Sequence, residues 1–116
     1  MAKISSTLTL KAVSSTSHTF DLYSTDHEFK ETWGGVYAFS KRTQNQSGGF
    51  NHTILYIGKA VKFNQRLDNH EKWETAKKLG CNCICILKVD KETDMLNFEK
   101  DLIKGQKPQL NVVHNS

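Results

Sequence analysis

A chain of 116 residues and 13.2 kDa bounds the molecule to one domain with a modest core. A hydrophobic share of 37%, with two Trp and six Phe, excludes a disordered chain, and no apolar run approaches the ~20 residues of a membrane span. The net charge of +4 is unevenly spread: −1 over residues 1–33, +5 over 34–79 and zero over 80–116. That excess fits a polyanion partner, and equally a plain solvated basic surface.

The amino terminus, Met1 to Ser6, has no apolar signal core, so a cytoplasmic chain is expected. Ile4 to Val13 sets Leu8, Leu10 and Ala12 against Thr7, Thr9 and Lys11, as an edge strand does. Thr19 to Tyr23 is a second alternating run that either completes an extra hairpin or leads into the core. Ser24 to Trp33 reads as helical, with Asp26 as cap and Phe29 and Trp33 four apart. Residues 1–33 are thus expected to be an extension packed on a core formed by 34–116.

Residues 35–40 and 53–58 are dense in β-branched and aromatic side chains and read as two strands of a hairpin. The polar stretch 41–52, with Gly48-Gly49, reads as a long loop between them. Tyr37 and Tyr56 then lie near each other on one sheet. Ala60 to His70 reads as a helix with Phe63 and Leu67 on one stripe and Arg66 and His70 on one face. Glu71 to Leu79 reads as another helical stretch, ending at Gly80. Cys83 to Val89 is a strand, with Ile84 and Ile86 on one face and Cys83, Cys85 and Leu87 on the other. Asp90 to Thr93 offers caps for a helix to about Lys104. Gly105 is expected to end it, Pro108 prevents its return, and the tail 109–114 tucks against the domain.

Alternation places Cys81, Cys83 and Cys85 on one face. Metal ligation there needs a fourth ligand and normally a wider gap, and a disulfide between alternate residues has poor geometry. The odd count and the missing signal favour reduced, buried thiols. His18, His27, His52 and His114 show no ligand spacing and are assigned no metal. Trp33 and Trp73 read as core or rim residues.

One residue breaks the pattern of the last helix. Glu99 falls within the apolar stripe of Met95, Leu96, Leu102 and Ile103. A carboxylate there is costly unless it is paired, reaches solvent or holds a cation.

Gly35-Val36-Tyr37, Tyr56-Ile57-Gly58, Arg66, His70, Glu99 and Asn111, in that order, resemble the GIY-YIG endonuclease family. Tyr56 to Leu67, and Phe98-Glu99 through Pro108 to Asn111, look like the amino-terminal nuclease domain of the bacterial nucleotide-excision repair nuclease. The likeness covers residues 34–112. It implies an α/β (α+β) fold: a small, mainly antiparallel central sheet flanked by helices, here with an amino-terminal extension. Loop 41–52 and residues 1–33 fall outside the family's minimal pattern. The chain ends soon after Asn111, which is expected to leave no room for a separate DNA-binding domain. Specificity then falls to the core, its loops, a homodimer or a partner protein.

The resemblance implies hydrolysis of DNA phosphodiester bonds with one divalent cation, Mg²⁺ or Mn²⁺, held by Glu99. Arg66 would clamp phosphate oxygens, and Tyr37 or Tyr56 would orient or deprotonate the water. His70 would serve in proton transfer. Lys59 and Gly58 would lie against substrate, and Asn111 would tie the tail to the site wall. Two alternatives stay open: a catalytically silent nucleic-acid-binding module of the same fold, and a small adaptor whose basic face meets an acidic protein.

Overall fold

The structure is a computed structural model that describes residues 3–12, 14, 16–67 and 70–111, the side chains of 3–6 and 66 excepted. Its strands are β1 (Lys3–Lys11), β2 (Ser17–Ser24), β3 (Gly35–Gln44), β4 (Phe50–Ala60) and β5 (Cys83–Lys88). The helices are α1 (Phe63–Arg66), α2 (Trp73–Lys78) and α3 (Glu92–Gln106), followed by a 3-10 turn at Gln109–Asn111.

The five strands form one sheet in the order β1-β2-β5-β3-β4, every neighbour antiparallel. The two triplets pair in register: Tyr37 opposes Gly58, and Phe39 opposes Tyr56. β3 is central to them, with β5 on its other side. Alternation along β3 sends Val36, Ala38 and Ser40 to one face and Tyr37 and Phe39 to the other. The first face meets Met95 and Leu102 of α3 in a core shared with Phe20, Leu22 and Ile57. The second meets Phe63 of α1 and Ala76 of α2.

The strand calculus of the hairpin is interrupted once. The register shifts between Phe39 and Ser40, whose partners are Tyr56 and Ile54, so Leu55 is the extra residue of a β-bulge. Before it, Ile54 packs with the α3 side; after it, Leu55 and Tyr56 both pack with the aromatic side.

The expected neighbours 35–40, 53–58 and 83–89 form the sheet as anticipated, and the two amino-terminal runs complete a hairpin that extends it beyond β5. Several boundaries differ. The 41–52 loop shrinks to five residues, because Lys41 to Gln44 pair with Phe50 to Thr53 and Arg42 stacks 3.8 Å above the Phe50 ring. Ser24 to Trp33 is not helical. Asp26 accepts from the Ser24 hydroxyl in a turn, and the following extended stretch gives its carbonyls to α1: Phe63 N–H to Trp33 (3.0 Å) and Asn64 N–H to Glu31 (2.9 Å). The helix expected over 60–70 is reduced to α1, since β4 runs on through Ala60. α3 passes through Gly105 and stops at Lys107, which adopts the left-handed conformation at φ 49°. Its N-cap is Lys91, with no side-chain cap, while Glu92 and Asp94 complement the dipole of the first turn. Cys81 precedes β5 and packs with the aromatic side, opposite Cys83 and Cys85; all three thiols are free. Val13 and residues 112–114 of the expected strand and tail lie outside the described residues.

Candidate active site

Two glycines fix the geometry of the triplets. A Cβ on Gly58 would stand 2.5 Å from the Tyr37 hydroxyl, and one on Gly35 would stand 1.9 Å from the Leu87 carbonyl. The first keeps room for the Tyr37 phenol across the ladder; the second lets β3 start tight against β5.

Into that room comes His70. Its Nε2 lies 2.5 Å from the Tyr37 hydroxyl, and its Nδ1 accepts the Lys72 main-chain N–H at 2.9 Å. With Nδ1 accepting, the neutral ring carries its proton on Nε2 and donates it to Tyr37. The imidazole stands edge-on to Tyr56, centroids 5.2 Å apart, and the two phenol rings are 6.1 Å apart. Phe39, Phe63 and Trp73 surround this group. Tyr37 is wholly buried, His70 is 5% exposed and Tyr56 is half-buried, so Tyr56 is the phenol nearer solvent.

His70 reaches this place differently from the sequence expectation. α1 ends at Arg66, so the two do not share a helical face; His70 instead opens the turn that leads into α2, its carbonyl accepting the Trp73 N–H at 3.0 Å. Arg66 itself closes α1, and its side chain lies outside those described. Lys59 is exposed near the end of β4 and lines a shallow concavity of about 390 Å³ with Val61, Lys62 and Gln65. Sequence reasoning missed Lys62 and Gln65, which carry no motif beyond their basic and polar character.

Glu99 is half-buried on α3, between the buried Met95 and Leu102, while Leu96 of the expected stripe is 39% exposed. α3 is fastened to β1, where Gln106 Nε2 donates to the Lys11 carbonyl at 2.9 Å. Beyond it the chain wraps the free edge of β4. The Asn111 amide accepts the Ile57 N–H at 2.7 Å and donates to the Ile57 carbonyl at 2.9 Å, and Leu110 packs on the aromatic side. One side chain thus satisfies both outward main-chain groups of an edge residue inside the Tyr56-Ile57-Gly58 triplet.

The other face of the same strands holds a second polar group. Ser40 is buried, and its hydroxyl lies 2.8 Å from His52 Nδ1. His52, Cys83 and Cys85 bring one imidazole nitrogen and two sulfurs within 4.8 Å of one another. Burial, with the Arg42 charge, holds the His52 imidazole below its ordinary range. A hydrogen bond from the Cys85 thiol lowers Cys83; the same bond and burial push Cys85 well up.

No helix among the described residues is long and apolar enough to cross a membrane. Residues 34–112 match a family model described as a UvrC-like GIY-YIG domain. No curated protein and no solved structure matches the chain. The matched span starts at the glycine before β3 and ends just past the Asn111 clamp, so it takes in both triplets, β5 and α3. A small antiparallel sheet with the triplets side by side, and a family match across that unit, place the chain in the GIY-YIG nuclease family.

Proposed function

We propose that this domain is an endonuclease that hydrolyses DNA phosphodiester bonds with Mg²⁺ or Mn²⁺. The observation that carries the reading is the Tyr37–His70 hydrogen bond, locked by the Lys72 amide and set against the half-buried Tyr56. Tyr56, nearer solvent, would orient and deprotonate the attacking water. Tyr37 and His70 stand behind it: the imidazole N–H stabilises negative charge among the phenols and exchanges the proton. Arg66 would grip phosphate oxygens through its bidentate fork, and Lys59, exposed near the end of β4, would add positive potential. Gly58 makes the room that seats the Tyr37 phenol, and Asn111 holds that strand in place.

Glu99 fits a hard cation. It is a half-buried carboxylate on α3, and a carboxylate oxygen is the donor such an ion takes. The remaining positions would go to water and phosphate oxygens, which suits Mg²⁺, an ion that sheds water reluctantly. When bound, the ion supplies neutralisation of phosphate and leaving-group charge. The basic segment 34–79 would draw the polyanion, and a second copy or a partner protein would add specificity.

Nicking of supercoiled plasmid tests this. Cleavage with Mg²⁺ and none with EDTA is expected. A salt-dependent mobility shift without cleavage would instead make the domain a silent binding module, and no DNA binding at low salt would make it an adaptor.

A further inference from the structure

The α3 side of β3, β4 and β5 carries donor groups that the proposed chemistry does not use. Cys83 and Cys85 are fully buried on β5, and His52 is half-buried on β4. Their donor atoms lie within 4.8 Å of one another, and no other such trio gathers among the described residues. The strands that supply them are not neighbours, since β3 runs between β4 and β5. Ser40 of β3, the ladder partner of Cys83, spans the gap and holds His52 Nδ1 at 2.8 Å.

We propose that Cys83, Cys85 and His52 form a site for a thiophilic divalent cation of the Zn²⁺ class, separate from Glu99. The donor set points there first: two sulfurs and an imidazole suit zinc, whereas Mg²⁺ and Ca²⁺ take oxygen. Charge points the same way. Zn²⁺ with two thiolates is neutral, while Cu⁺ with the same pair leaves a net negative charge among Ile57, Met95 and Leu102, the apolar residues of this cluster. Orientation is the third argument. A metal-bound histidine has its other ring nitrogen held by a hydrogen bond, and Ser40 does this for Nδ1, leaving Nε2.

Zinc–sulfur bonds of about 2.3 Å and zinc–nitrogen bonds of about 2.0 Å set tetrahedral ligand atoms roughly 3.5–3.8 Å apart. Loading would therefore draw the trio inward by at most about an ångström, within reach of side-chain rotation. Binding releases both thiol protons to solvent, and a water takes the fourth position on the half-exposed His52 side, which is also the route of entry. A loaded site would tie β5 to β4 across β3, beneath the hairpin that bears Tyr37 and Tyr56.

The test is a Co²⁺ titration of the reduced, chelator-stripped protein. One equivalent should give thiolate-to-cobalt charge transfer and tetrahedral d–d bands, displaced by Zn²⁺ and unmoved by a large excess of Mg²⁺. His52→Gln should weaken Co²⁺ at least about tenfold. Cys83→Ser should lose about half of the charge-transfer intensity, one of two thiolates, and Cys81→Ser none. Zn²⁺ should raise the Tm of the wild type and raise that of His52→Gln much less. Since a serine in the core can prevent folding, His52→Gln, checked by circular dichroism, carries the decision. A hexa-aqua cobalt spectrum with folded wild type, undiminished binding in folded His52→Gln, or a Tm lowered by Zn²⁺ would overturn the site. Plasmid nicking is scored separately, so failure of the nuclease reading leaves this result standing.

Discussion

The two faces of β3, β4 and β5 are built from the same short stretches, yet they hold opposite chemistries. On one, Tyr37, Tyr56 and His70 form an aromatic, oxygen- and nitrogen-bearing cluster under α1 and α2. On the other, Ser40, His52, Cys83 and Cys85 form a sulfur-bearing cluster under α3. Period-2 alternation explains how adjacent residues such as Phe39 and Ser40 join different sites. It does not explain His52. Tyr56 and His52 are an even number apart and would share a face on a regular strand. The Leu55 bulge switches the parity between them, aiming Tyr56 at one cluster and His52 at the other. One extra residue in a strand therefore lets a single hairpin serve two sites.

If the proposed nuclease chemistry holds, its largest sensitivity is to charge at the reacting phosphate. Glu99→Gln and Arg66→Ala should each slow nicking by about 10²–10³-fold while DNA affinity changes far less, because both act on transition-state charge. Equal losses in gel-shift affinity and in rate would reassign Arg66 as a phosphate anchor. Glu99→Gln keeps the side-chain shape and should stay folded in metal-free buffer, as read by circular dichroism. Unfolding of this variant would identify Glu99 as half of a structural ion pair.

Exposure ranks the two tyrosines. Tyr56→Phe should lower the cleavage rate by about 10²-fold or more, the scale of a lost general base. Tyr37→Phe should cost less in rate but about 1–2 kcal/mol in stability, because it removes the partner of a buried imidazole. Single-turnover nicking and urea unfolding of both variants separate the roles, and the reverse order would make Tyr37 the base.

Gly58→Ala pushes a methyl group into the Tyr37 hydroxyl and should destabilise the domain by about 1–3 kcal/mol. At roughly 4–8 °C per kcal/mol for a small domain, calorimetry resolves this easily. Asn111→Ala exposes the Ile57 main chain and should cost about 1–2 kcal/mol for its two hydrogen bonds, read as a lower urea midpoint. Smallest of all is the expected effect of the far face on nicking: His52→Gln should change the Mg²⁺-dependent rate less than about twofold, the independence usual for sites without shared partners. A larger loss would show that the faces are coupled through β3.

Much of this was legible in the residues. The two triplets announced neighbouring strands, because β-branched and aromatic residues crowd into them, and the register confirms that Tyr37 and Tyr56 lie two rungs apart on one face. The faces of β5 followed from alternation alone, and Gly80 does close α2 with φ 98°. Local errors had local causes. The polar stretch 41–52 looked like a loop because most of its side chains are exposed, but an edge hairpin needs only its main chain to pair. Gly105 looked like a helix stop, yet the stop fell at Lys107, just before Pro108.

What the sequence determined by itself was the period of each strand, the order of the triplets and the odd place of Glu99, since these depend on neighbours a few residues apart. What only the tertiary structure decided was which distant groups meet. His70 meets Tyr37 from the turn that leads into α2, not through a helical spacing, and is fixed by the Lys72 amide, which no side-chain pattern encodes. Asn111 finds Ile57 only because β4 is an edge strand with main-chain groups left to satisfy. His52 joins Cys83 and Cys85 across an intervening strand because a bulge changed the parity of β4, and a bulge is a property of pairing that a single strand does not carry in its residues.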